Sequence, residues 1–421
     1  MATGEGIRLS ERSALAERSV LTGRASALKN LVQVIPAVVI LAATLNTLSC
    51  RTSGGIGSSS GSASPTSTST AVGSLAFVTN FKDGKVSSFT RNTTTGVLKH
   101  TGQVTAGGKN GPRGVVASPN GQFLYVANVG DDNIYEFSIS QTKGTLTSLA
   151  KVANGNGTGP DELALNSNGT LLWVTNKTKG TVGWYTVNTS TGLINASSGS
   201  SIGGFNTPFG IAVHPRLPVL YVSDMATGLI QPMSYDTSTG VLAKNFPAVH
   251  SASPLANTPA AIVIDSAGDT LFTPDQGNGE VSPFSIATSG ALAGALTPQL
   301  AVNNSSVGDA PLGIGIGTNN IAEYLFTANS GGSTVSSFLV QNSTMPQTPP
   351  VTVSGYNAPK GLVVDPQNMY VYTADSGDGT VGQATIMNNK TCTSQICANT
   401  TIPTESPANP ASGPFGITLA Q

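Results

Sequence analysis

Four ionisable side chains stand outside the pattern that the rest of the chain repeats: Arg113, Asp161, Glu162 and Lys360. A carboxylate of this group can take a proton from water. An Arg or Lys beside it can bind an anionic substrate, or steady the oxyanion formed when water adds to a carbonyl. Against this stands the plainer reading of solvated rim charges in weak surface pairs. Glu162, Asn176 and Asp224 together offer the oxygen ligands that Ca²⁺ prefers; beyond that ion no cofactor is expected. Histidine is scarce, with His100, His214 and His250 the only three. His214 falls where an inner strand turns back, and the other two fall in outer-strand stretches, so all three are read as structural.

These residues are carried by a repeat. An apolar run ending in Asn or Asp occurs seven times, ending at Asn80, Asn128, Asn176, Asp224, Asp275, Asn329 and Asp375, in steps of 48, 48, 48, 51, 54 and 46 residues. A second marker, Pro followed by a short apolar run, also occurs seven times, opening at Pro112, Pro160, Pro208, Pro259, Pro311, Pro359 and Pro414. Turn residues divide each unit into four strands. In the second repeat these are Gly114 to Ser118, Phe123 to Ala127, Ile134 to Ile139 and a strand beginning Thr145-Leu146. Asn120-Gly121 supplies the positive φ of the first hairpin and Lys143-Gly144 the last turn. Strand two is apolar on both faces, as a strand sandwiched between neighbours must be. Four antiparallel strands per unit of about 48 residues predict a blade, and seven units predict an all-β, seven-bladed β-propeller over residues 74–421.

The two ends of the repeat region are offset. The first unit begins at strand two, Leu75-Ala76-Phe77-Val78, and Pro414 to Ala420 is a strand one with no partner after it. The C-terminal strand is therefore expected to complete the N-terminal blade, which pairs two otherwise bare edges. The Asn and Asp that close each strand two recur in every unit, so they read as side chains bonding their own turns.

Composition agrees. The 421 residues include 49 Gly and 25 Pro and are only 10% charged, with 20 Lys+Arg against 21 Asp+Glu; an ordinary soluble domain is roughly 25% charged. Such a chain is not a coiled coil or a charged disordered tail. It also lacks the basic field needed for nucleic acid.

Ahead of the repeats, residues 1–30 carry Arg8, Arg12, Arg18, Arg24 and Lys29, and Leu31 to Leu48 is apolar with few interruptions. A basic flank before a short apolar run reads as an export signal. It ends in Thr47-Leu48-Ser49-Cys50, which resembles a bacterial lipoprotein signal with Cys50 as the lipidated residue. The alternative is an uncleaved signal anchor. Residues 1–50 are thus read as signal or anchor, and the Ser/Gly/Thr-rich 51–73 as a tether. The protein beyond is expected in the bacterial envelope, periplasm or extracellular space, held to the membrane through its N-terminus. With Cys50 so assigned, Cys392 and Cys397 remain, separated by four residues and able to close a small hairpin worth on the order of 2 kcal/mol. No haem C-x-x-C-H and no zinc-type pair occurs.

The alternation of P-x-G-[IVL]-x-[VL] with [LF]-[YF]-[VT]-[ATS]-[ND] resembles the YVTN-type propellers and the related seven-bladed lactonase (6-phosphogluconolactonase-like) family, across roughly residues 74–421. The resemblance implies ligand binding on the face where strand one begins and strand two ends. Arg113, Asp161, Glu162, Phe209, Leu312, Lys360 and Phe415 would lie there beside the Asn/Asp set. It also implies hydrolysis of a sugar or acyl lactone, with His after the Pro of strand one. Those seven positions hold Arg113, Asp161, Phe209, Ala260, Leu312, Lys360 and Phe415, none of them His. Phosphogluconolactone is moreover cytoplasmic, whereas this chain is read as exported. The first expectation is therefore a monomeric binding or structural module that meets a protein or glycan of the envelope. The lactonase is the alternative, taking a small lactone.

Overall fold

Six successive residues without polar alternation cannot face water on either side, so each strand two must lie between two neighbours. The computed structural model describes residues 74–251, 258–295, 299–300, 309–318, 322–340, 350–386, 395–403 and 413–420. In it the seven runs are strands: Leu75–Asn80, Phe123–Asn128, Leu171–Asn176, Val219–Asp224, Thr270–Asp275, Glu323–Asn329 and Tyr370–Asp375. All of their residues are buried except Glu323. Each pairs inward with strand one and outward with strand three, which pairs in turn with strand four, giving seven antiparallel sheets.

In the second blade the four strands are Pro112–Ala117, Phe123–Asn128, Asn133–Ile139 and Leu146–Ala153. Strand one thus begins two residues ahead of the Gly114 expected from turn chemistry. The fourth strand is split in blade four (Leu242–Ala243, Val249–His250), and its described parts in blade five are Leu292–Ala295 and Gln299–Leu300. The first blade takes its innermost strand from the far end of the chain. Pro414–Ala420 runs antiparallel to Leu75–Asn80, with Phe77 opposite Thr418 and Val78 opposite Ile417. The protein is the expected all-β, seven-bladed propeller, closed by its C-terminal strand.

Strand one is bent by a bulge. Pro208 faces Asp224 and Ile211 faces Val222, so Phe209 and Gly210 together oppose the single residue Ser223. Arg113 with Gly114, Asp161 with Glu162, and Lys360 with Gly361 repeat the arrangement. A bulge frees backbone groups from the ladder and re-aims side chains. The second bulge residue is usually Gly because neighbouring inner strands nearly touch. A Cβ on Gly114 would lie 2.3 Å from the carbonyl oxygen of Asp161, and one on Gly210 2.4 Å from that of Ala260.

Where strand two carries a hydroxyl opposite the bulge, it joins the freed groups of two blades. Ser223 Oγ accepts the Gly210 N–H at 2.8 Å and donates to the Ala260 carbonyl at 2.6 Å. Thr79 links Gly416 to Arg113 in the same way, and Thr175 links Glu162 to Phe209.

A second set of inter-blade bonds lies further out. The aromatic at the third position of strand two donates to the glycine carbonyl of the next blade's last turn: Tyr125 to Gly192, Trp173 to Gly240, Tyr221 to Gly290 and Tyr372 to Gly96. In blades one, five and six that position holds Phe77, Phe272 and Phe326, which have no polar tip. Blades six and seven, which follow the last two, lack the Gly-bearing last turn in their sequence.

On the opposite face His214 is structural, as expected. Its Nδ1 accepts the backbone N–H groups of Arg216 and Leu217, which leaves Nε2–H to donate to Gly268 of the next blade. His100 lies in Leu98–Thr105 and His250 in Val249–His250, both outermost strands. Residues 1–73, with the export segment, Cys50 and the tether, lie outside the described residues, and so does Cys392. Cys397, in the strand Ile396–Pro403, is disulfide-bonded. Among the described residues no helix is long and apolar enough to cross a membrane.

Candidate functional site

The bulges bring the four non-repeated ionisable residues together at one mouth of the central channel. Taken around the ring, the first bulge residues are Phe415, Arg113, Asp161, Phe209, Ala260, Leu312 and Lys360. One arc is charged, running from Lys360 past Phe415 to Arg113 and Asp161. The other is apolar, and its Phe209, Ala260 and Leu312 cluster with Phe415. Between the arcs is a cavity of about 130 Å³ whose lining includes Glu162, Phe209, Leu312, Lys360 and Phe415.

Arg113 is held on three sides. Its Nη1 lies 2.9 Å from Asp161 Oδ2, and its guanidinium sits 5.1 Å from the ring centre of Phe81 and 4.9 Å from that of Phe415. Asp161 is fully buried and also meets Lys177 Nζ at 3.8 Å. Burial raises its carboxyl more than Arg113 and Lys177 lower it. These are not the solvated rim pairs of the plainer reading: a buried carboxylate anchors two cations. Neither Arg113 Nε nor Asp161 Oδ1 has a hydrogen-bond partner among the described residues.

Glu162 is the exception in the inner ring. Five of the seven second bulge positions are Gly and one is Ala261, whereas this one carries a long acid. Its carboxylate lies over the bare Cα of Gly114, where an added Cβ would come within 3.1 Å of Oε2. Burial first, and then the negative charge of Asp161, push the Glu162 carboxyl up to about 8, with Arg113 pulling the other way. The side chain still touches channel solvent, which tempers the shift. Lys360 lies 5.1 Å over the Phe415 ring, and its ammonium is pulled down by burial, Arg113 and Lys82 in that order. At neutral pH the mouth therefore holds Arg113, Lys82, Lys177 and Lys360 against Asp161 and a largely protonated Glu162. It is a positive site on a chain of net charge −1.

The trio weighed for Ca²⁺ is differently engaged. Asn176 Oδ1 accepts from Asn154, and both oxygens of Asp224 accept backbone N–H groups of Asn206 and Thr207. Only Glu162 of the three lines the channel cavity. Among the described residues no three His, Cys, Asp or Glu converge as a metal site. The Asn/Asp set is buried, so the expectation that it flanks an exposed ligand face is corrected. Some members bond their own turn, as Asn128 does to the Gly130 and Asp131 N–H groups. Others reach across to strand three, as Asn80 does to Ser87 and Asn329 to Ser336.

Three residues of the mouth escaped the sequence reading: Phe81, Lys82 and Lys177. They are the first or second residues after a strand two, in loops that differ from blade to blade. That lack of repetition, the signal that marked Arg113, was there to be read.

A family model described as lactonase, 7-bladed beta-propeller, matches residues 64–205, and the resemblance carried by the repeat motifs is borne out. No match was found among curated proteins. Among solved structures, a 6-phosphogluconolactonase-like protein of Bacteroides fragilis is 16% identical with a TM-score of 0.67, over 85% of this chain and 100% of that one. A similar protein of Bacteroides uniformis is 16% identical with a TM-score of 0.66, over 82% and 98%. The periplasmic gluconolactonase of Pseudomonas aeruginosa is 13% identical with a TM-score of 0.63, over 82% and 98%. At these identities the likeness is one of fold.

Proposed function

We propose that this propeller of the lactonase type hydrolyses a small, oxygen-rich lactone bearing a negative charge, at the channel mouth formed by Arg113, Glu162 and Lys360. The observation that carries the reading is Glu162, an acid projecting from a ring position otherwise held by Gly or Ala, beside cations and with its pKa raised. Ionised Glu162 takes a proton from water as the hydroxide adds to the lactone carbonyl. Arg113 and Lys360 face the oxyanion and the substrate's own charge. The ring C–O bond then breaks, and Glu162 returns its proton to the departing alkoxide, giving the hydroxy acid. The apolar arc of Phe209 and Leu312 receives the carbon skeleton. The test is turnover of a panel of sugar and acyl lactones by the purified protein, with and without Ca²⁺, against Glu162→Gln. Hydrolysis that survives the substitution, or no hydrolysis of any lactone, removes the reading.

One observation favours a second reading, a binding module without turnover: Arg113 is already pinned by Asp161 and two Phe rings, which suits a preformed anion site. Gluconate binding without hydrolysis of any lactone selects it. Export and lipid attachment at Cys50 form the remaining part of the proposal, supported by the basic flank, the apolar run and the tether. Membrane fractionation of wild type and Cys50→Ser checks them: release on substitution is expected, and equal retention overturns the lipid anchor.

A further inference from the structure

A second cavity, of about 210 Å³, lies in the seam between the outer parts of blades two and three. Its lining is almost wholly polar or small, including Asn154, Asn176, Thr181, Gly183, Tyr185 and Ser201. It is far larger than the roughly 10–15 Å³ that one water needs. The polar groups are organised. Tyr185 Oη donates to Asn154 Oδ1 at 2.8 Å, Asn154 Nδ2 to Asn176 Oδ1 at 2.5 Å, and Asn176 Nδ2 to Thr181 Oγ1 at 3.0 Å.

The repeat shows why the space is open here. The third residue of strand three is Ser87, Ser282 and Ser336 in blades one, five and six, each bonded to the Asn or Asp that ends strand two. In blade two it is Tyr135. Blade seven has Gly382, but Tyr356 from the preceding link fills the gap, within 2.4 Å of where a Cβ would stand. Blade three has Gly183, where a Cβ would meet its own blade's Val174 at 3.0 Å and Asn176 at 3.4 Å, and the link supplies only Asn154, at 3.6 Å. Without that serine, Asn176 keeps the bond to Thr181 that Asn329 also makes to Thr334, and accepts from Asn154.

We propose that this seam is a binding site for a neutral sugar ring, independent of any reaction at the channel mouth. The relay leaves the Tyr185 oxygen with a lone pair and the Thr181 hydroxyl with a donor. Amide and hydroxyl groups alternating around a glycine floor suit a ring edged by hydroxyls. The Tyr185 ring offers an apolar wall, and the lining carries no carboxylate to select a cation, with Lys179 its one charged residue.

Saturation-transfer NMR on the purified full chain with glucose, galactose and N-acetylglucosamine tests the site, with gluconate as the charged comparison. At least one neutral sugar should bind near 1 mM. Gly183→Ser, which installs the residue of three other blades, should weaken it about tenfold, and Tyr185→Phe should weaken it severalfold. Glu162→Gln should leave it unchanged. Absence of transfer to all three neutral sugars overturns the proposal, as does undiminished binding by Gly183→Ser. Should that variant fail to fold, unchanged binding by Tyr185→Phe overturns it in the same way.

Discussion

An acid held neutral by its surroundings gives the site a pH signature. Glu162 has an ordinary carboxyl pKa near 4.5 and a folded one of about 8. Between those values the native state holds a proton that the unfolded chain has released. Its contribution to stability is therefore complete below about 4.5 and is lost as pH rises through 8. Asp375, raised to about 8, and Asp275, raised to about 6, mainly by burial, act with the same sign. Glu162→Gln should flatten the fall in stability between about pH 5 and 8 without abolishing it. Urea titrations across that range read the difference, and an unchanged slope refutes the shift. Lactone turnover, if Glu162 is the base, should rise with pH to a plateau above 8 and fall by about 10²–10⁴ in the Gln variant. Arg113→Ala has a different cost, because it strips Asp161, fully buried, of its closest cation. A loss of about 3 kcal/mol is expected in the unfolding free energy from urea titration, and a loss below about 0.5 kcal/mol returns the pair to the class of surface bridges.

At the scale of elements, the blades are joined by hydroxyls whose absence elsewhere serves as a built-in control. Ser223→Ala should leave the Gly210 N–H and the Ala260 carbonyl unpaired in a dry seam, at about 1–3 kcal/mol. Tyr221→Phe removes only the bond to the Gly290 turn and should cost about 1 kcal/mol. Unaltered urea midpoints for both would show that backbone packing alone fixes the blade spacing. Strand and turn content was legible from the punctuation, because a doubly buried strand two and a Gly-bearing last turn leave marks in residue type. The bulge was not legible. It depends on where Pro112 and its counterparts pair, and it moved the start of strand one from Gly114 to Pro112. Without it the sequence could group Arg113, Asp161, Glu162 and Lys360 as non-repeated, but could not show that Asp161 turns into the protein while Glu162 turns into the channel. The open seam at Gly183 was equally hidden, since a glycine in a strand announces a missing side chain and not what fills the space.

For the whole molecule the deciding contact is between residues at opposite ends of the chain. Thr79 Oγ1 receives the Gly416 N–H across 337 residues. Outside it, Arg91 of blade one is buried against Asp365 of blade seven at 3.0 Å, with Gln367 as a second partner. A ring that closes only by such distant pairing gains little until the last strand docks, because the entropy of closing the chain is lost before the contacts form. Removing residues 414–421 should therefore do more than delete one strand. It bares Leu75–Asn80 along its inner edge and takes the Gly416 N–H from Thr79, so association through that edge is expected in place of a stable monomer. Sedimentation velocity reads the outcome, and a peptide spanning residues 413–421 added in trans should restore the monomer. Arg91→Ala weakens the same junction from the opposite side, at about 3 kcal/mol, because buried Asp365 loses its cation and is left with the backbone N–H groups of Gln367, Met369 and Tyr370. If the truncated chain stays monomeric with the urea midpoint of the intact protein, the seven blades hold together by their seams alone, and the terminal strand is ornament to a ring already closed.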